Sequence, residues 1–427
     1  MAKEQQPGLP TTPSDTSLTF GIDVSTGMNA YDFAARGVNI AAQREKRGIP
    51  ESLPLPHGPW TMELMPTDLC NVGCSWCSHR TLRSEHVESV KVLRKSGDTT
   101  MQPYLARNTL MELLDALEVG GDTKGTYWAG GGEPLTAPYI VEAIERASQF
   151  SDVFLQTNAV LLNKFTKNTE LLGTLRLISI SAVGFDETST ESVHQNNTFH
   201  KIDTNVRTVM EMRNGFREEN GPVALGRLKV NAKIMVDKTN YLQLPDLVHY
   251  WRDDLKIDII AIRLVQDIYY GETTPTEDQA ELSSDQKAEL FNLIVANYPQ
   301  DADLQKFANF LQLRQLTNKI TRSCYSTTQG HFGVIDAKGD VYLGNPEIGN
   351  IEYSVGNINQ QPWAEIWGSK RHKEIAERMN AEQLAGTCNK AFCRHTTANL
   401  GVEEYLDGKR KAPDEQEIMD EGYGAFM

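Results

Sequence analysis

Short apolar runs alternate with amphipathic segments through the middle of the chain. The amphipathic segments carry apolar residues at helical spacing, and the apolar runs have the length of strands. Predicted strands cover 60–66, 126–129, 153–157, 177–181, 228–236 and 257–265, and predicted helices cover 109–119, 139–150, 199–214 and 242–255. Strands that alternate with helices are typical of βα units around a parallel sheet. The middle of the chain is therefore predicted to have an α/β fold.

The pattern differs on either side of this core. The first 59 residues contain one predicted helix, Ala30–Lys46, and a Pro-rich link. After residue 324, alternating apolar residues around a Lys338-Gly339 turn predict a β-hairpin, and 362–380 is predicted to be helical. These changes predict an N-terminal extension (1–59), the α/β core (60–270), a helical linker (271–323), a small α+β domain (324–400) and a charged C-terminal tail (401–427). The tail is expected to be either a disordered end or a cover over the active-site mouth.

The composition is that of a globular protein with an excess of acidic residues. The chain has 427 residues, of which 42 are Lys or Arg and 57 are Asp or Glu, so its net charge is −15. Nucleic-acid backbones attract cationic surfaces, so nucleic acid is not an expected partner. The sequence has no apolar run of about 18 residues, and its first residues lack the apolar stretch of a signal peptide. We therefore expect a cytoplasmic protein with no membrane partner.

Six cysteines form two groups of three: Cys70, Cys74 and Cys77, and then Cys324, Cys388 and Cys393. In a reduced cytosolic chain, clustered cysteines are more often metal ligands or catalytic thiols than disulfides. Three thiolates on the first loop suit an iron–sulfur cluster, which is held by cysteine sulfur. A zinc site of three Cys and His79 is the alternative.

A Gly-rich turn follows the predicted strand at 126–129. It reads Gly130-Gly131-Gly132-Glu133-Pro134, and its glycines allow the backbone to approach a ligand closely. Glu133 places a hydrogen-bond acceptor at the end of the strand. Such a turn is weak evidence alone, but a CxxxCxxC loop followed by GGGEP resembles the radical S-adenosylmethionine (radical SAM) superfamily.

The resemblance implies a partial (β/α)6 TIM-like barrel, whose functional residues gather at the carboxyl ends of the strands. It implies that Cys70, Cys74 and Cys77 hold a [4Fe–4S] cluster bound to S-adenosylmethionine. The candidate cofactor-binding residues are Trp76, Gly131, Gly132, Glu133, Asn158, Ser179, Ser181 and Arg263.

Three of these candidates have a weaker basis. Ser179 and Ser181 resemble a ribose-contacting Ser-x-Asp strand, but Ser181 stands at the Asp position. They face the same way along the strand, and filling the barrel interior is an equal alternative for them. Arg263, like Lys233, is a charge inside an otherwise apolar strand, so we expect each to pair with a carboxylate of cofactor or substrate.

The second cysteine group resembles the SPASM/Twitch extension of radical SAM enzymes. The matching stretches are a D-x-x-G-x-V-Y hairpin from Asp336 to Tyr342, Gly356-Asn357-Ile358 and Glu365-Ile366-Trp367. The chain ends soon after one Cys pair, so the shorter Twitch form fits better than the full SPASM form. The resemblance implies an auxiliary [4Fe–4S] cluster held by Cys324, Cys388 and Cys393. A zinc site, or the loss of metal binding, is the alternative.

Two departures from that family leave the auxiliary site incomplete. The usual Cys after the hairpin, near Gly344, is absent, and the final pair is spaced CxxxxC. Three cysteines leave one position of a [4Fe–4S] cluster to another ligand. The candidates are His395, Asp336, Glu347, a water molecule or the substrate.

The resemblance implies reductive cleavage of S-adenosylmethionine to a 5′-deoxyadenosyl radical, with a flavodoxin- or ferredoxin-type protein as reductant. The first hypothesis is an oxidoreductase, isomerase or lyase that oxidises, dehydrates or epimerises a small polar metabolite of the sugar or aminocyclitol type. A ribosomal-peptide maturase is the second, although no peptide-recognition domain is visible in the short N-terminal extension. A non-catalytic iron–sulfur or zinc-binding protein is the third. RNA modification is disfavoured by the charge of −15.

Overall fold

The computed structural model describes residues 22–23, 28–50, 54–74, 76–96, 102–221, 223–265, 281–313, 321–388 and 395–411. Its strands are β1 (Ile22–Asp23), β2 (Met28–Asn29), β3 (Thr61–Leu64), β4 (Gly125–Trp128), β5 (Asp152–Thr157), β6 (Leu177–Ala182), β7 (Lys229–Val236), β8 (Ile259–Leu264), β9 (Phe332–Ile335), β10 (Asp340–Tyr342) and β11 (Gly356–Asn357). Its helices are α1 (Ala30–Lys46), α2 (Arg80–Lys95), α3 (Arg107–Gly120), α4 (Ile140–Ala147), α5 (Thr169–Leu172), α6 (Glu187–His194), α7 (Phe199–Asn220), α8 (Leu244–His249), α9 (Ser284–Asn297), α10 (Ala302–Leu313), α11 (Tyr325–Thr328), α12 (Trp363–Ile366), α13 (Lys370–Ala385) and α14 (His395–Leu406). Among the described helices, none is both long and apolar enough to cross a membrane.

One sheet of nine strands organises the chain, in the order β11-β10-β9-β3-β4-β5-β6-β7-β8. The six consecutive strands β3 to β8 are all parallel, with helical segments between them. All six were predicted within a few residues of their observed bounds, and the helix Ala30–Lys46 was predicted as observed. The sequence analysis missed α2 and α6, which carry few apolar residues.

The two faces of the parallel strands differ in chemistry. Side chains alternate between the faces of a strand, so every second residue faces the helices. On that face the side chains are apolar and fully buried; they include Met62, Leu64, Trp128, Ile178 and Ile234. On the opposite face the register places buried polar side chains side by side; they include Glu63, Tyr127, Ser179, Asn231 and Lys233. A buried polar face needs polar partners, because an unpaired buried polar group costs free energy.

The C-terminal hairpin belongs to the same sheet as the barrel strands. Strand β9 pairs in parallel with β3, and β10 and β11 continue from it in antiparallel order. The indole N–H groups of Trp363 and Trp367 donate to the backbone oxygens of His57 (2.9 Å) and Leu55 (2.8 Å). Trp363 and Trp367, the latter in the Glu-Ile-Trp stretch, therefore hold the segment that leads into β3. The domain boundaries given above stay predictions. At 59/60 and at 323/324, the segments on the two sides of the boundary are in direct contact.

The N-terminal extension and the C-terminal helix pack on each other. Helix α1 lies against α14 so closely that a Cβ atom at Gly37 would lie 2.1 Å from the backbone oxygen of Ala398. Val402 of α14 is fully buried against Ala41 of α1. The prediction of a disordered tail from 401 is therefore wrong for 401–406, which complete α14, because burial of this helix stabilises it. Residues 412–427 lie outside the described part of the chain.

We expect Gly37→Ala to destabilise the protein by about 1–3 kcal/mol, because the added methyl group must push α1 away from α14. Gly215→Ala is the matched control, since Gly215 also lies inside a helix but a Cβ there meets no atom within 4 Å. That control should stabilise by roughly 0.5–1 kcal/mol through helix propensity. Thermal unfolding of both variants measures the difference. Equal melting temperatures for the two would contradict the close contact.

Candidate active site

The cysteine loop connects β3 to α2 and is held by the Gly-rich turn that follows β4. The N–H groups of Gly132 and Glu133 donate to the backbone oxygens of Thr67 (3.0 Å) and Leu69 (2.7 Å). A Cβ atom at Gly132 would lie 2.2 Å from the Leu69 oxygen and 2.7 Å from the Thr67 oxygen. Because these obstacles are backbone atoms, only glycine allows the two loops to come this close.

The carboxylate of Glu133 joins the ends of two strands. It accepts hydrogen bonds from the Thr157 hydroxyl (2.7 Å), the Asn158 N–H (2.8 Å) and the Leu135 N–H (3.1 Å). Burial raises the pKa of Glu133, and these hydrogen bonds oppose that rise only in part. A cationic group bound beside it would favour the charged form of the carboxylate. Glu133 therefore suits its predicted role as an acceptor for the amino group of S-adenosylmethionine.

Asn158 connects the end of β5 to the cysteine loop. Its side-chain N–H donates to Asn71 Oδ1 (2.7 Å), and its own oxygen accepts from the Val160 N–H (3.0 Å). On the other side of the loop, the Gly73 N–H donates to the backbone oxygen of His194 (3.0 Å). Asn158 was predicted to bind the cofactor, and the contacts in this structure give it a positioning role as well.

The three cysteines of the loop are half-buried free thiols. Burial raises the pKa of Cys70, and burial together with the charges of Cys77 and Cys70 raises that of Cys74 to about 12. Thiols in such surroundings become thiolates when a metal compensates their charge. The donor set therefore suits an iron–sulfur cluster. Within the described residues, no three His, Cys, Asp or Glu side chains are arranged as ligands of a single ion.

One charged side chain and one contact beside this loop were missed in the sequence. The positive charge of Arg83 on α2 lowers the pKa of Cys70 and Cys74, against the effect of burial. The ring of His86, also on α2, pairs with the Asp68 carboxylate at 2.5 Å. The sequence carried a signal for the buried histidine, because His86 occupies a position that would be apolar in the helical repeat that ends at Val90. Trp76, next to Cys77, is half buried.

The polar face of the barrel strands carries a hydrogen-bonded network. Gln156 Oε1 accepts from Lys233 Nζ (2.9 Å) and from the Tyr127 hydroxyl. Next to it, Asn231 Nδ2 donates to Ser179 Oγ (3.2 Å). The other amide atom, Asn231 Oδ1, is buried and accepts no hydrogen bond from the described residues. A buried acceptor without a donor marks a place where a polar ligand would be stabilised.

The remaining cofactor candidates lie along this face. Ser179 is buried and bonded to Asn231, which matches the alternative of a hydrogen-bonded interior residue. Ser181 lies directly opposite Lys233 in the sheet register, and Arg263 lies on the same face of β8, opposite Met235. The structure thus brings Cys70, Cys74, Cys77, Gly131, Gly132, Glu133 and Asn158 together at three strand ends. Ser179, Ser181 and Arg263 lie further along the sheet, and their roles stay predictions.

Two of the auxiliary cysteines, Cys324 and Cys388, lie near α13. Cys324 is buried, and its thiol accepts from Asn399 Nδ2 at 3.6 Å. Cys388 is half buried. Cys393 and the side chain of His395 lie outside the described residues. Asp336 is nearly buried at the hairpin turn, where burial and the charges of Asp340 and Asp68 raise its pKa to about 7.

Comparisons with known proteins agree with this arrangement. The family model of the SPASM iron–sulfur cluster-binding domain matches residues 324–393. A GTP 3′,8-cyclase of Thermodesulfovibrio yellowstonii is 29% identical over 172 residues, which are 39% of this chain and 45% of that protein. The match thus spans less than half of that relative. A tungsten-containing aldehyde ferredoxin oxidoreductase cofactor-modifying protein of Pyrococcus furiosus is 23% identical over 324 residues, 72% of this chain and 80% of that protein.

The fold also has solved relatives. The structure of native anSMEcpe with bound AdoMet and Cp18Cys peptide is 12% identical and superposes with a TM-score of 0.52, covering 82% of this chain and 98% of that one. At this identity the likeness concerns the fold, and it confirms the predicted partial barrel.

The cysteine loop, the Gly-Gly-Glu turn and the parallel barrel define an iron–sulfur enzyme. With the SPASM match and the sequence relatives, they place the chain in the radical SAM superfamily, with a C-terminal SPASM-type domain. The predicted cofactors are accordingly confirmed: a [4Fe–4S] cluster with S-adenosylmethionine, and an auxiliary [4Fe–4S] cluster. The individual ligands and the shorter Twitch form stay predictions.

We expect Gly132→Ala to displace the cysteine loop, since its methyl group would meet backbone oxygens. Anaerobically reconstituted parent protein should hold about eight irons per chain, and this variant about four, from the auxiliary cluster alone. Gly215→Ala is the control, because a methyl group there meets no atom within 4 Å. Parent-like iron content in Gly132→Ala would refute the predicted constraint.

Proposed function

We propose that this chain is a radical SAM enzyme that abstracts hydrogen from a small polar metabolite in a biosynthetic reaction. Cys70, Cys74 and Cys77 hold the catalytic cluster, and Glu133 accepts from the amino group of the cofactor. When bound, the cluster and S-adenosylmethionine supply the 5′-deoxyadenosyl radical. The reaction is an oxidation, dehydration or epimerisation, and a flavodoxin- or ferredoxin-type protein supplies the electron.

The polar inner face of the barrel carries this proposal. Lys233 and Asn231 are nearly fully buried there, although both faces of a parallel sheet are ordinarily apolar. Asn231 Oδ1 has no donor among the described residues, and Lys233 presents an ammonium group beside Gln156. Such a lining suits a ligand with hydroxyl groups, because an apolar ligand would leave the Asn231 oxygen without a donor.

The sequence relatives support a small substrate. Their names refer to a nucleotide, GTP, and to a cofactor. The fold relative holds a peptide, so the test must include peptides.

The decisive experiment is an anaerobic assay of 5′-deoxyadenosine formation with chemically reduced protein. Fractionated metabolite pools and peptide pools serve as separate additions, and mass spectrometry identifies the consumed compound. We expect a metabolite fraction to raise 5′-deoxyadenosine formation above the substrate-free rate. Cys74→Ala is the control, and it should form none because its cluster lacks a ligand. Stimulation by peptides alone would replace the proposal with a peptide maturase, and parent-like activity in Cys74→Ala would overturn the catalytic assignment.

We expect Lys233→Gln to weaken substrate binding while its iron content stays that of the parent. Losing a charge-assisted hydrogen bond of about 1.5–3 kcal/mol should raise KM for the identified metabolite roughly ten- to hundredfold. Lys229→Gln is the matched control, because Lys229 lies on the same strand but is exposed to solvent. An unchanged KM in Lys233→Gln would show that this network does not bind the substrate.

A further inference from the structure

Asn71 follows the first cysteine of the loop, and two hydrogen bonds from outside the loop fix its position. Its backbone oxygen accepts from Asn196 Nδ2 (3.0 Å), which lies between α6 and α7. Its side-chain oxygen accepts from Asn158 Nδ2 (2.7 Å), at the end of β5. Because these two contacts come from separate segments of the barrel, the fold as a whole orients Asn71.

The orientation of the Asn71 amide follows from a chain of hydrogen bonds. The nitrogen and the oxygen of an Asn amide are told apart by their partners, since one donates and the other accepts. The backbone N–H of Val160 can only donate, so the Asn158 atom that accepts from it (3.0 Å) is Oδ1. Nδ2 of Asn158 is therefore the atom that faces Asn71, and the Asn71 atom that accepts from it is Oδ1. The atom of the Asn71 amide that remains is the donor, Nδ2.

This donor is buried and has no partner in the described part of the chain. Asn71 Nδ2 is shielded from solvent and donates to no acceptor there, and that includes the sulfur of its chain neighbour Cys70. Buried N–H groups without an acceptor are rare in proteins, because they cost free energy. Nδ2 therefore marks a position where a bound group with an acceptor atom would be stabilised.

Asn158 connects this donor to the acceptor already described. Its backbone N–H donates to Glu133 Oε2 (2.8 Å), and its side chain holds the Asn71 amide. One residue thus positions both a buried carboxylate and a buried N–H donor. The amino-acid part of S-adenosylmethionine carries an amino group and a carboxylate on one carbon atom, so its recognition needs an acceptor and a donor. Glu133 suits the amino group, and the carboxylate needs a donor such as Asn71 Nδ2.

We propose that Asn71 Nδ2 donates to the carboxylate of S-adenosylmethionine, so that Asn71 and Glu133 recognise the two charged groups of its amino-acid part. The inference rests on the proposed catalytic centre and is independent of the substrate. A hydrogen bond to a charged acceptor is stronger than one between neutral groups. The free-energy cost of burying the donor is thereby offset when the cofactor binds.

The test measures equilibrium binding to the full-length, anaerobically reconstituted protein by isothermal titration calorimetry. The two probes are S-adenosylmethionine and decarboxylated S-adenosylmethionine, which keeps the amino group but lacks the carboxylate. We expect Asn71→Ala to raise the Kd of S-adenosylmethionine roughly ten- to hundredfold, because a charge-assisted hydrogen bond is lost. The Kd of the decarboxylated compound should not rise, because that compound offers the Asn71 donor no carboxylate.

Asn196→Ala is the matched control, because Asn196 also holds Asn71 but through the backbone oxygen of that residue. It removes one anchor of the loop and leaves the buried donor in place, so we expect the Kd of S-adenosylmethionine to stay close to that of the parent. Asn71→Asp is the second variant, since it keeps an acceptor for Asn158 and lacks the donor. It should show the same selective loss, and iron content checks that each variant keeps its catalytic cluster.

An unchanged Kd of S-adenosylmethionine in iron-loaded Asn71→Ala would overturn the proposal. An equal rise for both probes would also overturn it, because a displaced loop would weaken both ligands alike. A changed midpoint potential of the cofactor-free catalytic cluster, with an unchanged Kd, would assign the donor to a cluster sulfur instead. Loss of the catalytic cluster from both Asn71 variants would leave Asn71 with a structural role only. If the parent itself failed to bind S-adenosylmethionine, the proposed function would fall too, whereas each of the other outcomes leaves that function standing.

Discussion

The contact between the Gly-rich turn and the cysteine loop is the constraint on which the active site depends. Gly132 permits an approach that no other residue would allow, and the N–H groups of Gly132 and Glu133 bind the loop backbone. The Glu133 carboxylate then ties this turn to the end of β5. Hydrogen bonds thereby connect β3, β4 and β5 at their carboxyl ends. Three hydrogen-bond donors offset part of the free-energy cost of burying this carboxylate.

The barrel combines two requirements that oppose each other in most sheets. Its outer face must be apolar to bury the helices, and residues such as Leu64 and Ile178 satisfy this completely. Its inner face carries Lys233, Gln156 and Asn231, whose polar groups need partners. Part of that need is met within the sheet, whereas the Asn231 oxygen has no donor among the described residues. The strands that stabilise the fold thus also present a polar acceptor to the barrel interior.

The SPASM-type domain follows the barrel in the sequence and also shares its sheet. Strand β9 extends the sheet from β3, and Trp363 and Trp367 hold the segment that enters β3. Within the domain, helix α13 anchors the backbone of both Cys324 and Cys388, which are far apart in the sequence.

The sequence by itself was enough to predict the superfamily and the six parallel strands, because these depend on local patterns: apolar periodicity, Cys spacing and a run of glycines. It could not reveal that Asn158 donates a hydrogen bond to the cysteine loop or that His86 pairs with Asp68, since these contacts join residues from separate elements. For the residues from 401 on, one of its alternatives was a disordered tail. Helix α14 in fact continues past residue 401, because it is buried against α1. Only the tertiary structure decided these contacts, because proximity in space between separate elements is set by their packing and not by composition.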